Sequence, residues 1–184
     1  MRGFGSWKTW LVNGATGLAL VAAVGLLVRD RVLPSLRERG IADPGERVPA
    51  ELRVVDLARG DTIALRRLGP STLLAVLSTC PACERSAPAW RDALGRSPGR
   101  LGVLLLGNAD REAEWAAREI PGAEAFLPLD REELLRRLRI RVVPTALAIS
   151  PGGVLLERRE GPVGPDEAAE LLSAPAGRPA TTAP

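Results

Sequence analysis

No histidine occurs in the 184 residues, and cysteine occurs only twice. The first absence removes Ser-His-Asp and Cys-His catalysis together with the commonest metal ligand. With no histidine and only Cys80 and Cys83, the chain cannot assemble the full set of Cys or His donors that a closed zinc site requires. Aromatic residues are scarce, and the net charge is only +3, supplied almost entirely by arginine. No basic block is interleaved with aromatics, so nothing is written for nucleic acid. Very few side chains remain for nucleophilic chemistry other than Cys80. With 46% apolar and 26% charged residues, the length allows one globular domain of ordinary size plus accessory segments.

The two cysteines lie where two periodicities meet. Leu73-Leu74-Ala75-Val76-Leu77 is a short apolar run without polar alternation, which reads as a strand covered on both faces. Beyond the Cys80-Pro81-Ala82-Cys83 turn, Cys83, Ala87, Trp90 and Leu94 fall at i, i+4, i+7 and i+11, one stripe of a helix. A thiol in the first turn of that helix meets unpaired backbone N–H groups and the positive end of the helix dipole, and both favour thiolate over thiol. Cys80, nearer the helix start, is the expected nucleophile. Cys83, one turn further in, is placed to attack a mixed disulfide formed at Cys80 and release the partner reduced. Pro81 at the first helical position fixes φ and forfeits no needed hydrogen bond. A purely structural Cys80–Cys83 disulfide would close a very small loop of little entropic value, so redox exchange is the stronger reading.

At the N-terminus, Trp10 to Val28 is a run of 19 residues without a charge. As a helix it would be about 28 Å long, close to the ~30 Å hydrocarbon core of a bilayer. Residues 1–9 flank it with Phe4 and Trp7, and Arg29 and Arg31 follow, an arrangement suited to interfacial anchoring. No small-x-small cleavage site lies just beyond Val28, so an uncleaved single-span anchor over 10–28 is expected rather than a signal peptide. Arginines flank both ends. The positive-inside rule leans towards a cytoplasmic C-terminal domain, whereas a lone exchangeable Cys pair on a tether is most useful outside the cytoplasm, and the chemistry is followed here. Residues 29–47, charged and broken by Pro34, Gly40, Pro44 and Gly45, read as a stalk.

The domain proper is assigned to 48–173. Leu52–Leu57 and Thr62–Leu65 flank a turn with Gly60 and form a β-hairpin. Leu101–Leu106 is a second buried strand. Asp110 is the expected cap of a short helix carrying Trp115, and Ala123–Leu127 a further strand. Asp130 and Glu133 spell a capping box ahead of Leu134, Leu135 and Leu138. Thr145–Ile149, the turn Ser150-Pro151-Gly152-Gly153 and Val154–Glu157 form an antiparallel hairpin. Pro165 opens a last helix ending near Leu172, and 174–184 reads as a disordered tail.

Cys80-Pro81-Ala82-Cys83, Pro88 five residues later, and Val143-Pro144-Thr145 followed by a strand, Gly152-Gly153 and another strand resemble a thioredoxin fold, an α/β architecture with a central mixed sheet flanked by helices. The N-terminal hairpin and the helix-strand insert from about Asp110 to Leu129 resemble the membrane-tethered TlpA/ResA-type branch. The Ser-Thr-Cys-Pro-Ala-Cys spelling is similar to its MauD-like members. This resemblance implies a thiol-disulfide oxidoreductase without a cofactor beyond the Cys80–Cys83 pair. It implies a cis Val143–Pro144 peptide beside the disulfide, with Val143, Pro144, Thr79, Pro81 and Ala82 facing the client. Backbone at Val143 can pair with an extended client segment, while Pro144 donates no N–H. The expected partners are protein thiols and disulfides of exported clients, an extracytoplasmic or membrane electron donor or acceptor, and the bilayer itself. Reductase duty in the maturation of apocytochrome or another exported client is what the resemblance suggests.

Two departures stand out. Thr79 occupies the place where many relatives have Trp, and Leu74 stands where thioredoxin has a buried carboxylate. The proton leaving Cys83 must therefore go to water or to another acid, and Glu84, adjacent in sequence, reads mainly as a helix-surface residue. Two competing functions are a membrane-tethered assembly factor that keeps the fold without turnover, and a thiol peroxidase, since the insert also resembles peroxiredoxin-like domains. Peroxiredoxins use a Thr three residues before the reactive Cys, where this chain has Leu77.

Overall fold

A computed structural model describes residues 43–177, so the expected anchor over 10–28, its flank over 1–9 and most of the stalk lie outside the described residues. No helix among the described residues is long and apolar enough to cross a membrane. The elements run β1 (Arg53–Asp56), β2 (Thr62–Ala64), a 3-10 turn (Leu65–Arg67), β3 (Ser71–Val76), α1 (Pro81–Arg96) and β4 (Leu101–Leu105). They continue as α2 (Ala109–Glu119), β5 (Glu124–Pro128), α3 (Arg131–Arg137), β6 (Thr145–Ile149), β7 (Leu155–Glu160) and α4 (Pro165–Gly177). One seven-stranded mixed sheet has the order β2-β1-β5-β4-β3-β6-β7. β3, β4 and β5 are parallel, β6 pairs antiparallel with β3, and β7 pairs antiparallel with β6 at the edge.

The apolar run from Leu73 is central because it is buried on both faces, and successive side chains of a strand feed opposite layers. Leu74 and Val76, with Leu101, Val103, Leu105 and Ala146, pack against Cys83, Ala87, Trp90 and Ala93 of α1, Trp115 of α2 and Leu171 and Leu172 of α4. Leu73 and Ala75, with Leu104, Leu147 and Ile149, pack against Val48, Leu52, Leu65 and the Leu134–Leu138 stripe. The stripe of α1 is as expected except that Leu94 is only half buried, Ala93 taking the inward position. The helix continues through Pro88.

The hairpin forms with Gly60 at φ +73°, a conformation open to glycine. Asp56 completes its turn, its Oδ1 accepting from the N–H of Ala58 at 2.9 Å and of Arg59 at 3.3 Å. β1 also pairs antiparallel with β5, which places the hairpin at one edge of the sheet.

Several boundaries differ from expectation. The stalk ends earlier than residue 47: Gly45 N donates to Leu155 O, Leu155 N to Glu46 O and Val48 N to Gly153 O, so this segment adds to the free edge of β7. Helix α2 is capped by Asn108, whose side chain accepts from Arg111 N, and Asp110 sits inside the first turn, where its charge still suits the dipole. Half of the capping box forms: Asp130 accepts from Glu133 N at 2.8 Å, while the Glu133 carboxylate turns instead to Arg136 and Arg137. Helix α4 runs to Gly177, so 174–177 are helical and not part of a disordered tail. Pro175 lacks the N–H that would bond Leu171 O, and that carbonyl accepts from the Thr72 hydroxyl at 2.7 Å.

Candidate active site

The chain leaves β3 at Val76 and turns immediately: Cys80 N donates to Leu77 O at 3.0 Å, and Cys80 becomes the extended N-cap of α1. Cys83 N and Glu84 N both donate to Cys80 O. The Cys80 sulfur accepts from Cys83 N at 3.4 Å and, as a thiol, donates to Val143 O at 3.5 Å. Both cysteines are free, Cys80 half buried and Cys83 buried.

Their surroundings push the two thiols apart. Partial burial works to raise Cys80, but the Cys83 thiol, the N–H groups of Cys83 and Ala82 and the Arg85 charge outweigh it, leaving its pKa lowered. For Cys83 burial dominates. A backbone N–H opposes it, but the Cys80 sulfur and the Glu112 carboxylate add to it, and Cys83 is pushed up to about 12. An accessible sulfur that ionises readily therefore stands beside a hidden one that holds its proton.

Of the residues expected to face a client, Thr79 and Pro81 are exposed, and Ala82 and Val143 are half buried. Pro144 is buried, and the Val143–Pro144 peptide is cis. Val143 packs against both apolar layers at the end of the sheet, which fixes its carbonyl against Cys80. Val142, next to Val143 in sequence and passed over by the sequence reading, is an exposed apolar residue, 47% exposed. Glu84 is exposed on α1, as a helix-surface acid should be.

The position of Leu74 carries no acid, but a buried carboxylate lies on another element. Leu106 N donates to Val76 O, so β4 ends beside the active-site turn, and Gly107 and Asn108 lead straight into α2. Glu112 on the first turns of α2 is 2% exposed. Its carboxylate accepts from Ser78 N at 2.9 and 2.7 Å and from Ser78 Oγ at 2.8 Å. The sequence carried a signal for it: Glu112, Trp115 and Ala116 share one helical stripe, so a charge lies on the buried face of α2.

A cysteine pair at the start of the helix after the central strand, opposed by a proline-bounded strand, is the arrangement of the thioredoxin fold. Solved structures bear this out: a thio-disulfide isomerase from Thermus thermophilus superposes with TM-score 0.57 at 19% identity, over 73% of this chain and 99% of that one. StoA from Bacillus subtilis gives 0.53 at 18% identity, over 67% and 98%. The thioredoxin domain of a thiol-disulfide oxidoreductase from Bacteroides vulgatus gives 0.53 at 14% identity, over 70% and 94%. No protein-family profile and no curated protein sequence matches the chain.

Proposed function

We propose that the protein is a membrane-anchored thiol-disulfide oxidoreductase whose domain faces the extracytoplasmic side and exchanges disulfides with exported proteins. The observation that carries the reading is the division of labour between the sulfurs: Cys80 half exposed with lowered proton affinity, Cys83 buried behind it. Cys80 thiolate attacks a client disulfide, forming a Cys80–client bond and expelling the other client sulfur. Cys83 then attacks Cys80 Sγ, the Cys80–client bond breaks, and the client leaves with two electrons as a dithiol while Cys80–Cys83 becomes a disulfide. An external dithiol must reduce that disulfide for another turn. Exposed Thr79, Pro81 and Val142, with the Val143 backbone, offer an extended client segment a place to lie. The uncharged stretch over 10–28 supports the anchor, and the usefulness of disulfide exchange outside the cytoplasm supports the location.

The test is Cys83→Ser in the full chain. Mixed disulfides through Cys80 to exported proteins, absent in Cys80→Ser, are expected, together with insulin reduction by the wild type in dithiothreitol. A folded, abundant protein that forms no adducts and turns over no insulin would favour the assembly-factor reading.

A further inference from the structure

Glu112 is a buried carboxylate that no step above uses. Among the described residues no cation pairs with it, and its three hydrogen bonds come from one neutral residue, Ser78. The carboxylate is held in place by the turn that leads into Cys80. Of the charged groups, this carboxylate from α2 bears on Cys83 and the exposed Arg85 from α1 on Cys80, and the exposed Glu84 follows Cys83 on α1. The connecting turn over Leu77, Ser78 and Thr79, the Gly107-Asn108 link and the Val143-Pro144 strand contribute none.

We propose that Glu112 is a positioning residue for thiol exchange: a fixed negative charge, clamped by Ser78, that slows the attack of Cys83 on the mixed disulfide and so lengthens the life of the covalent client complex. The inference rests on the oxidoreductase reading and adds to it a regulation of the second step. In that step Cys83 loses its proton to solvent, a bond forms between Cys83 Sγ and Cys80 Sγ, the Cys80–client bond breaks, and the client thiolate takes a proton from water. Only the first of these events places negative charge on the sulfur near Glu112. Repulsion there raises the cost of forming the attacking thiolate, whereas Cys80, helped by Arg85 and the helix N–H groups, starts the reaction unhindered. A general base in the same place would have the opposite effect, because removing it would slow resolution.

The experiment follows reduced full-length protein mixed with 5,5′-dithiobis(2-nitrobenzoate). Cys80 releases one thionitrobenzoate on forming its mixed disulfide, and Cys83 releases the second. Glu112→Gln is isosteric and removes the charge while its carbonyl still accepts from Ser78 N and its amide donates to Ser78 Oγ; only the second contact with Ser78 N is lost. Its second phase should be faster, by about threefold for each pH unit that Cys83 falls, since a tenfold gain in thiolate is partly offset by lower nucleophilicity. The Cys83 13Cβ shift should titrate at lower pH, and the first phase should change little. Glu112→Asp keeps the charge and should retain the slow second phase. Glu112→Ala, neutral and smaller, should move both readouts the same way as Gln, so misfolding of one variant leaves the other decisive. A slower or unchanged second phase in the neutral variants overturns the proposal, as does an Asp variant that behaves like Gln. A wild type that releases no thionitrobenzoate from Cys80 would instead sink the oxidoreductase reading, while the Cys83 titration would still report on Glu112.

Discussion

Gly107→Ala tests whether Glu112 is truly fixed. Gly107 joins the end of β4 to the Asn108 cap, and a Cβ built there would overlap Glu112 Oε1 and lie 2.8 Å from its Cδ and 3.0 Å from its Cγ. The glycine is required for this close approach, because the carboxylate must pass against the backbone to reach Ser78. An alanine can enter only if the carboxylate leaves or the interior around it strains. Losing hydrogen bonds to a charged group costs about 1.5 to 3 kcal/mol, and crowding a well-packed interior about 1 to 3 kcal/mol. Displacing the carboxylate or straining the interior around it are alternatives, so the variant should lose about 1 to 3 kcal/mol in urea denaturation and several degrees in melting temperature for a chain of this size. Glu112→Ala in the same chain removes the clash, so the double variant should be more stable than the two single losses predict, by at least about 1 kcal/mol. A Gly107→Ala protein that melts within about 2 °C of the wild type would show that the carboxylate swings aside at little cost. A charge so easily moved cannot act as a fixed one.

The parts of the fold that were legible in the sequence are those set by local periodicity. The Leu73 and Leu101 runs announce buried strands because nothing polar interrupts them, and the Cys83-Ala87-Trp90 stripe announces α1 because its spacing is helical. Cys80 and Cys83 followed from where those two patterns meet. What stayed hidden depends on partners distant in sequence. Ser78 and Glu112 are 34 residues apart, and nothing local tells a buried acid on α2 that its donors lie in the turn before Cys80. Pro175 looks like a helix terminator until Thr72, 99 residues from Leu171, is seen to satisfy the Leu171 carbonyl that the proline leaves open. Residues 45–47 have the composition of a linker, yet Gly45 and Glu46 pair with Leu155 at the start of β7 through backbone groups, which pair whatever the side chains are. The closeness of Val143 to Cys80 was implied by the family resemblance, since spacing alone does not bring residues 63 apart together.

Thr72→Val should shorten α4 from its C-terminal end. It leaves Leu171 O without its donor beside Pro175, a cost of about 1 to 3 kcal/mol readable by urea denaturation and by earlier amide exchange after Leu171; unchanged stability would mean that the proline needs no outside help. The last prediction concerns alkaline pH, where the chain offers a clean window because it contains no tyrosine and a single lysine. In the native reduced protein Cys83 keeps its proton to about 12, whereas unfolded it ionises near the ordinary thiol value. Between those limits the unfolded chain binds fewer protons than the native one, so stability must fall as pH rises through that interval. Cys80 has the opposite sign: its lowered native pKa contributes stability that is complete above the ordinary thiol value and is lost as pH falls through the lowered one. Urea midpoints of the reduced protein should therefore rise gently with pH up to the ordinary thiol range and then decline. Cys83→Ala, which has no buried thiol to ionise, should lose most of the decline, and part of the rise with it, because the Cys83 thiol is one of the groups that lower Cys80. If the decline persisted undiminished in that variant, the buried sulfur would not be the group that holds its proton, and the ordering of the two thiols on which the exchange depends would fail with it.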